Sequence, residues 1–223
     1  QLGKHPIEER TGVSSDRMLA LALAGAPRAF LDRVLPELAA LPGVEAAGVT
    51  SSLPPHLSQM QTTIAPPLNV GSAEPVPVDI VAVSPGTFDT LGLRLLEGRF
   101  FADADLSSGT RSLVISARAA ARLFPGTSAV GRALPFGPSA TGTPHPVVIG
   151  VVGDVRYRGL GAPPEGTLYM PYTQRTFEVM HLVVRPRADG SDIAADVRRL
   201  VGRADPYQAV ADARSMAGLI AEA

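Results

Sequence analysis

The chain repeats one hydrophobic pattern near its two ends. Met18 to Ala24 is an apolar run that predicts a strand, although its Leu and Ala content also fits a helix. Phe30, Val34, Leu38 and Leu41 then recur at helical spacing, thickened by Leu31 and Leu35, with Arg28, Asp32, Arg33 and Glu37 between them. Pro27 suits a first helical turn. Pro36 is expected to kink this helix or split it in two, and Pro42-Gly43 to end it before a strand at Val44 to Thr50. From Val179 to Arg185 the order returns, with Met180, Leu182 and Val184 on one side of a strand. Ser191 is placed to cap a helix whose apolar face is Ile193, Val197, Leu200 and Val201. Asp205-Pro206 should end it, Gln208 to Ala213 should form the next strand, and Ser215 onward should start a helix.

Between the two units the texture changes. Ser51 to Pro77 is a proline-punctuated excursion, and Val76 to Val83 predicts a strand. Ser84 is the expected cap of a short helix carrying Phe88 and Leu91, with Pro85 at its first position. Ser112 to Ser116 predicts a strand whose last residue caps a helix from Ala117 to Phe124, stopped by Pro125-Gly126. Val130 to Phe136 and Thr167 to Met170 predict further strands, and Ser139 to Pro146 a turn-rich linker. The expected fold class is α+β. Residues 1–97 and 172–223 form a discontinuous split βαβ sandwich, and residues 98–171 are a β-rich lobe inserted into it. The crossover rule places the two long helices on one face of one sheet.

The run Val147 to Arg156, VVIGVVGDVR, invites a nucleotide-binding reading. Its β-branched content predicts instead a buried strand through Val155, with Gly150 serving close packing and Gly153 a turn. The chain holds neither G-x-G-x-x-G nor G-x-x-x-x-G-K-[ST]. Hydrophobic residues make up 45% of the 223 positions and charged residues 18%, and the formal net charge is -1. Nothing in that balance steers the chain to nucleic acid. Lys4 is the one lysine, and the arginines, among them Arg156, Arg158 and the distant Arg175, are too scattered for a phosphate-tracking groove. There are no cysteines, so thiolate nucleophiles and cysteine metal sites are excluded. No run reaches the roughly 18 apolar residues of a membrane-spanning helix. With no initiator Met and no signal peptide pattern, the chain reads as an excised or processed piece, with membrane segments expected outside it.

Candidate chemistry is sparse. His5, His56, His145 and His181 lie far apart and match no metal-binding spacing. There is no G-x-S-x-G elbow. Asp103 and Asp105 could assist a cation, but capping a local turn explains them better. Asp154 after Gly153 reads as the carboxylate of an Asx-type turn, with a ligand site at a strand end as its rival. Arg156-Tyr157-Arg158 on a strand would face two cations one way and an aromatic the other, which favours a protein contact over nucleic acid. The expectation is no catalytic, cofactor-binding or metal-binding residue.

An ordered series of segments carries a resemblance. LPGVEAAGVTSSLP at 41–54, VSPGTFDTLGLRLLEGRFFADAD at 83–105, SLVISARAAARLFPGTSAVGRAL at 112–134, VVIGVVGDVRYRGLGAPPEGTLYMPY at 147–172 and MHLVVRPRADG at 180–190 resemble the MacB-like periplasmic core domain of ABC transporter permeases, which is similar to the FtsX-like permeases. Asp205-Pro206 and SMAGLIA at 215–221 extend it. The resemblance implies a domain between the first two membrane helices of a permease, on the periplasmic or extracellular side of the cell membrane. It implies a porter lobe and an inserted sabre lobe, and no catalytic residue. It implies as partners a second permease copy, a cytoplasmic ABC ATPase domain or subunit and, in tripartite pumps, a periplasmic adaptor. The alternative is an extracytoplasmic ligand-binding or sensor module, which calls for a concave polar pocket at the junction of the lobes. An enzyme would need buried, perturbed titratable groups gathered in one cleft.

Overall fold

Short apolar runs build most of the strands, and the computed structural model describes residues 18–55, 59–66, 74–107, 111–136, 144–157, 161, 163–175, 177–187, 193–210 and 213–222. In chain order these form β1 (Leu19–Ala24), α1 (Arg28–Ala39), β2 (Val44–Thr50), β3 (Gln61–Ile64), β4 (Val76–Val83), α2 (Gly86–Leu91) and β5 (Leu95–Gly98). There follow β6 (Ser112–Ser116), α3 (Ala117–Leu123), β7 (Val147–Val152), β8 (Gly166–Pro171), β9 (Val179–Pro186), α4 (Ile193–Ala204), β10 (Arg214–Ser215) and α5 (Met216–Ala221). The fold is α+β. The ten strands among the described residues make one mixed sheet in the order β10-β1-β9-β2-β4-β8-β6-β7-β5, with β3 beside β4.

The two βαβ units interlock. β9 lies antiparallel between β1 and β2, and β1 lies antiparallel between β9 and β10. Each unit thus holds a strand of the other between its own two. α1 and α4 pack on the same face, where Phe30, Leu31, Val34 and Leu38 meet Ile193, Val197, Leu200 and Val201. Ala119 and Leu123 of α3 join this cluster over Ile80, Ile115 and Leu168. The opposite face buries Phe88 and Leu91 of α2 and Met216 and Leu219 of α5 against Val81, Val83, Val114, Tyr169 and Val183. Both clusters draw on residues 98–171 and on the flanking segments. The boundaries expected at 97/98 and 171/172 therefore fall inside one layer, stitched by the parallel β4–β8 pair from Val78↔Gly166 to Val83↔Pro171.

Several elements differ from expectation. Helix α1 is not split at Pro36, which is exposed and lies in the last turn, where the missing N–H removes one peripheral bond. The Ser84 hydroxyl does not cap α2 but turns to β2. Residues 130–136 form no strand: Gly131, with φ 82°, bends the chain, and Ala133 alone bridges to Val147. In 208–213, Val210 makes one bridge to Leu23, and the strand begins only at Arg214. The apolar strand ends at Val152, short of Val155. β3 and β5 were not expected; Leu95–Gly98 is mostly exposed and bulged against β7, so it carries no alternation to recognise. Ser116 caps α3 as expected, accepting from Ala119 N at 3.3 Å. Ser191, His5, His56 and Arg158 lie outside the described residues.

Phe88 holds the second face together. Its ring stacks on Phe100 at 4.8 Å between centroids, lies tilted against Phe101 at 5.6 Å and meets Tyr169 edge-on at 5.6 Å. Phe88→Ala is expected to cost about 3–5 kcal/mol. Phe88→Leu should cost less, because it keeps most of the volume. Urea denaturation followed by far-UV circular dichroism reads both; equal, small losses would show that the aromatic cluster contributes little.

Candidate functional site

The sheet is narrowest between β2 and β4. β1–β9, β2–β9 and β4–β8 each align over six register positions, whereas β2 and β4 share the single position Thr50↔Val83. The reason is that β4 divides one of its edges: β3 takes Val76 to Asp79, leaving only the end of the strand to β2. The half-sheet β10-β1-β9-β2 and the half-sheet β4-β8-β6-β7-β5 are thus staggered, with a short seam between them.

Hydroxyl groups complete the seam where strand overlap fails. Val49 N–H donates to Ser84 Oγ at 3.0 Å. Thr87 Oγ1 donates to Val49 O at 2.7 Å, and the two hydroxyls lie 3.1 Å apart. With Thr87 donating to the carbonyl and Ser84 accepting from the amide, Ser84 must donate to Thr87. The result is a closed ring around the backbone of Val49 in which each hydroxyl both gives and takes a proton. Ser84 N–H also donates to Val49 O at 2.9 Å. One residue further, Ser51 N–H donates to Ala82 O at 2.9 Å, and Ala82 N–H to Ser51 Oγ at 3.0 Å. Ser51, Ser84 and Thr87 are all buried, so these bonds do not compete with water.

The ring requires two glycines. A Cβ on Gly48 would stand 2.5 Å from Thr87 N, and one on Gly86 would collide with the carbonyl oxygen of Ala47. Their absence lets α2 lie directly on β2. On the other face, Tyr172 continues β8, donating its N–H to Val83 O at 3.0 Å. Its hydroxyl donates to Asp32 of α1 at 2.5 Å. Burial, then the Asp32 bond, push this phenol above its usual range. The Gln59 amide, just ahead of β3, donates to Ser51 O and, at 2.7 Å, to Val179 O of β9.

A second feature lies at the β10 edge. β1 and β10 run antiparallel with Leu19 opposite Ser215, and Met216 N–H donates to Met18 O at 2.9 Å. The chain therefore enters β1 and leaves β10 side by side. Ser215 Oγ accepts from Gly218 N at 3.1 Å and starts α5 at once.

Groups singled out in the sequence serve packing and turns. Asp105 takes both guanidinium nitrogens of Arg99, at 2.6 and 3.1 Å, with Ala102 N–H at 2.8 Å and the Ser112 hydroxyl at 2.8 Å. The Arg99 bond, helped by Ala102 and Ser112 against burial, holds its carboxyl at about 2. Asp103 begins the 3-10 turn that Asp105 closes. Asp154 does not hold an Asx turn of its own; its carboxylate accepts from Arg118 N at 2.8 Å, in the first turn of α3. Gly150 packs so tightly that a Cβ would collide with Arg99 O, whereas a Cβ on Gly153 would meet nothing. Tyr157 is buried with Tyr169 in the second core cluster, off any strand, so Arg156-Tyr157 presents no exposed aromatic. Burial raises both phenols, which stay protonated. Among the described residues no three His, Asp or Glu side chains are placed to hold a metal ion. A shallow groove of about 470 Å³ runs along α3 and is lined by Ala117, Ala120, Phe124, Ser128 and Glu97. It lies at the β5 side of the sheet, away from the seam.

The sequence matches the family described as MacB-like periplasmic core domain over residues 7–201. The fold is similar to the periplasmic region of MacB from Actinobacillus actinomycetemcomitans, with a TM-score of 0.60 and 14% identity over 95% of this chain and 94% of that one. It is also similar to the extracellular domain of the noncanonic ABC-type transporter YknZ from Gram-positive bacteria, with a TM-score of 0.52 and 20% identity over 83% of this chain and 91% of that one. No curated protein matches the chain in sequence.

Asp105 makes stability depend on pH in a defined direction. Its folded pKa of about 2 lies below the roughly 3.9 of a free aspartate. Its contribution is therefore complete above about pH 4 and is lost as pH falls toward 2. Asp105→Asn should cost about 1–3 kcal/mol at pH 7, toward the low end because Arg99 is more than half exposed. The variant should also lose stability less steeply between pH 4 and 2. Urea melts across that window measure both effects, and an unchanged slope would remove Asp105 as the cause.

Proposed function

Because the chain belongs to the MacB-like periplasmic core domain family, we propose that it acts as the extracytoplasmic lever of an ABC transporter permease, passing movement driven by cytoplasmic ATP hydrolysis to the outer side of the membrane. The observation that carries this reading is the pairing of β1 with β10, which brings the incoming and outgoing chain together at Met18 and Met216. A domain held at two adjacent points turns as a unit when those points move. No helix among the described residues is long and apolar enough to cross a membrane; in this reading the spans belong to the rest of the permease.

Residues 1–97 with 172–223 form the membrane-side part in this reading, and residues 98–171 the outer part. β4 and α2 are the arm by which the first grips the second: β4 pairs with β8, and α2 is seated on β2. The partners are a second permease copy and a cytoplasmic ABC ATPase, with a periplasmic adaptor docking on the outer part. The domain itself performs no chemistry. The polar groups in its interior support this, since Asp105, Asp154, Ser84 and Thr87 are each engaged by backbone or neighbouring side chains.

The native chain has no cysteine, so introduced pairs can be tested cleanly. A disulfide tethering the two copies of this domain in the full permease should abolish transport and leave basal ATP hydrolysis largely intact. A cysteine replacing Tyr207, which is 95% exposed, should react with a membrane-impermeant maleimide from outside the cell. Full transport with a verified tether would sink the lever and favour a ligand-binding module.

A further inference from the structure

Force passed along this sheet must cross the β2–β4 seam. By strand pairing alone the seam is the weakest line in the sheet, with one register position against six on the neighbouring pairs. A hinge built at such a line would be expected to expose its polar groups to water, so that bonds broken by bending are replaced. This seam does the opposite. Ser51, Ser84 and Thr87 are 0%, 4% and 1% exposed. Bending would leave the amide and carbonyl of Val49 and two hydroxyls buried and unpaired together.

The flanks oppose bending as well. Gly48 and Gly86 let α2 sit backbone to backbone on β2, and Phe88 and Leu91 anchor α2 beside Val81 and Val83 of β4. On the reverse face the Tyr172–Asp32 bond ties the end of β8 to α1. The two half-sheets are therefore clamped on both faces and along the seam. We propose that the Ser84–Thr87 hydroxyl ring is a positioning device that locks the half-sheets at one angle, making the domain a rigid lever instead of a jointed one. This deepens the lever reading above and rests on it for its functional consequence, but not for its structural one.

Spin labels at Glu37→Cys on α1 and Ala121→Cys on α3, both at exposed positions, report the angle between the half-sheets. The measurement is electron–electron distance spectroscopy on the full-length permease freed of other cysteines. The unaltered seam should give one narrow distance distribution. Thr87→Val and Ser84→Ala should each broaden it at least twofold, and Thr87→Ser, which restores the hydroxyl, should return it to the original width. Val197→Ala, in the α1–α4 core, serves as a destabilised control and should leave the width unchanged. Wild-type widths in Thr87→Val and Ser84→Ala would overturn the proposal, as would equal broadening in Val197→Ala. A broadened seam with undiminished transport per ATP hydrolysed would leave the ring standing as a lock and sink the lever reading instead.

Discussion

The architecture depends on how a sheet is held together where its strand overlap has almost run out. β4 gives one edge to β8 and divides the other between β3 and β2. The amide of Val49 would then lack a partner on that edge in a buried place, where an unmet donor is costly. The Ser84 hydroxyl supplies it, and the Thr87 hydroxyl joins the Ser84 amide on the Val49 carbonyl. Everything nearby follows from this. α2 must begin within three residues of Val83, and Gly48 and Gly86 must lack side chains. Ser84 must face β2, so its side chain is not free to cap the helix.

The interlocked βαβ units leave neither the N-terminal nor the C-terminal segment a complete sheet of its own. β1 and β2 are separated by β9, and β9 and β10 by β1. Neither α1 nor α4 has a complete surface until both units are present, because each packs on strands from both. This non-local pairing costs loop-closure entropy and is typical of slower-folding topologies. It gives in return a half-sheet in which the first and last strands are neighbours.

The polar interior has a common character. Asp105 gathers a guanidinium, an amide and a hydroxyl to close a turn, and Asp154 reaches across the chain to the first turn of α3. Tyr172 ties a strand end to α1. Asp105 fixes a local turn, whereas Asp154 and Tyr172 tie elements far apart in sequence.

Apolar runs bounded by turn residues determined the most regular elements. β2, β4 and β6 begin and end where the pattern places them, and α1 and α4 present the expected apolar faces. Ser116 was legible as a cap because capping is local, set by a hydroxyl three residues before the amide it meets. The ordered motifs were enough to indicate the family. Tertiary structure alone decided the rest. β5 is exposed and bulged, so it leaves no pattern, and Val130 to Phe136 has the pattern without the neighbour along its whole length. Ser84, Asp154 and Tyr157 were each read from adjacent residues, yet their surroundings come from β2, α3 and the core beneath β8. Sequence proximity predicts a hydrogen bond only when donor and acceptor lie within a turn of each other. The partners at the seam are 38 residues apart, and nothing short of the folded sheet brings them together.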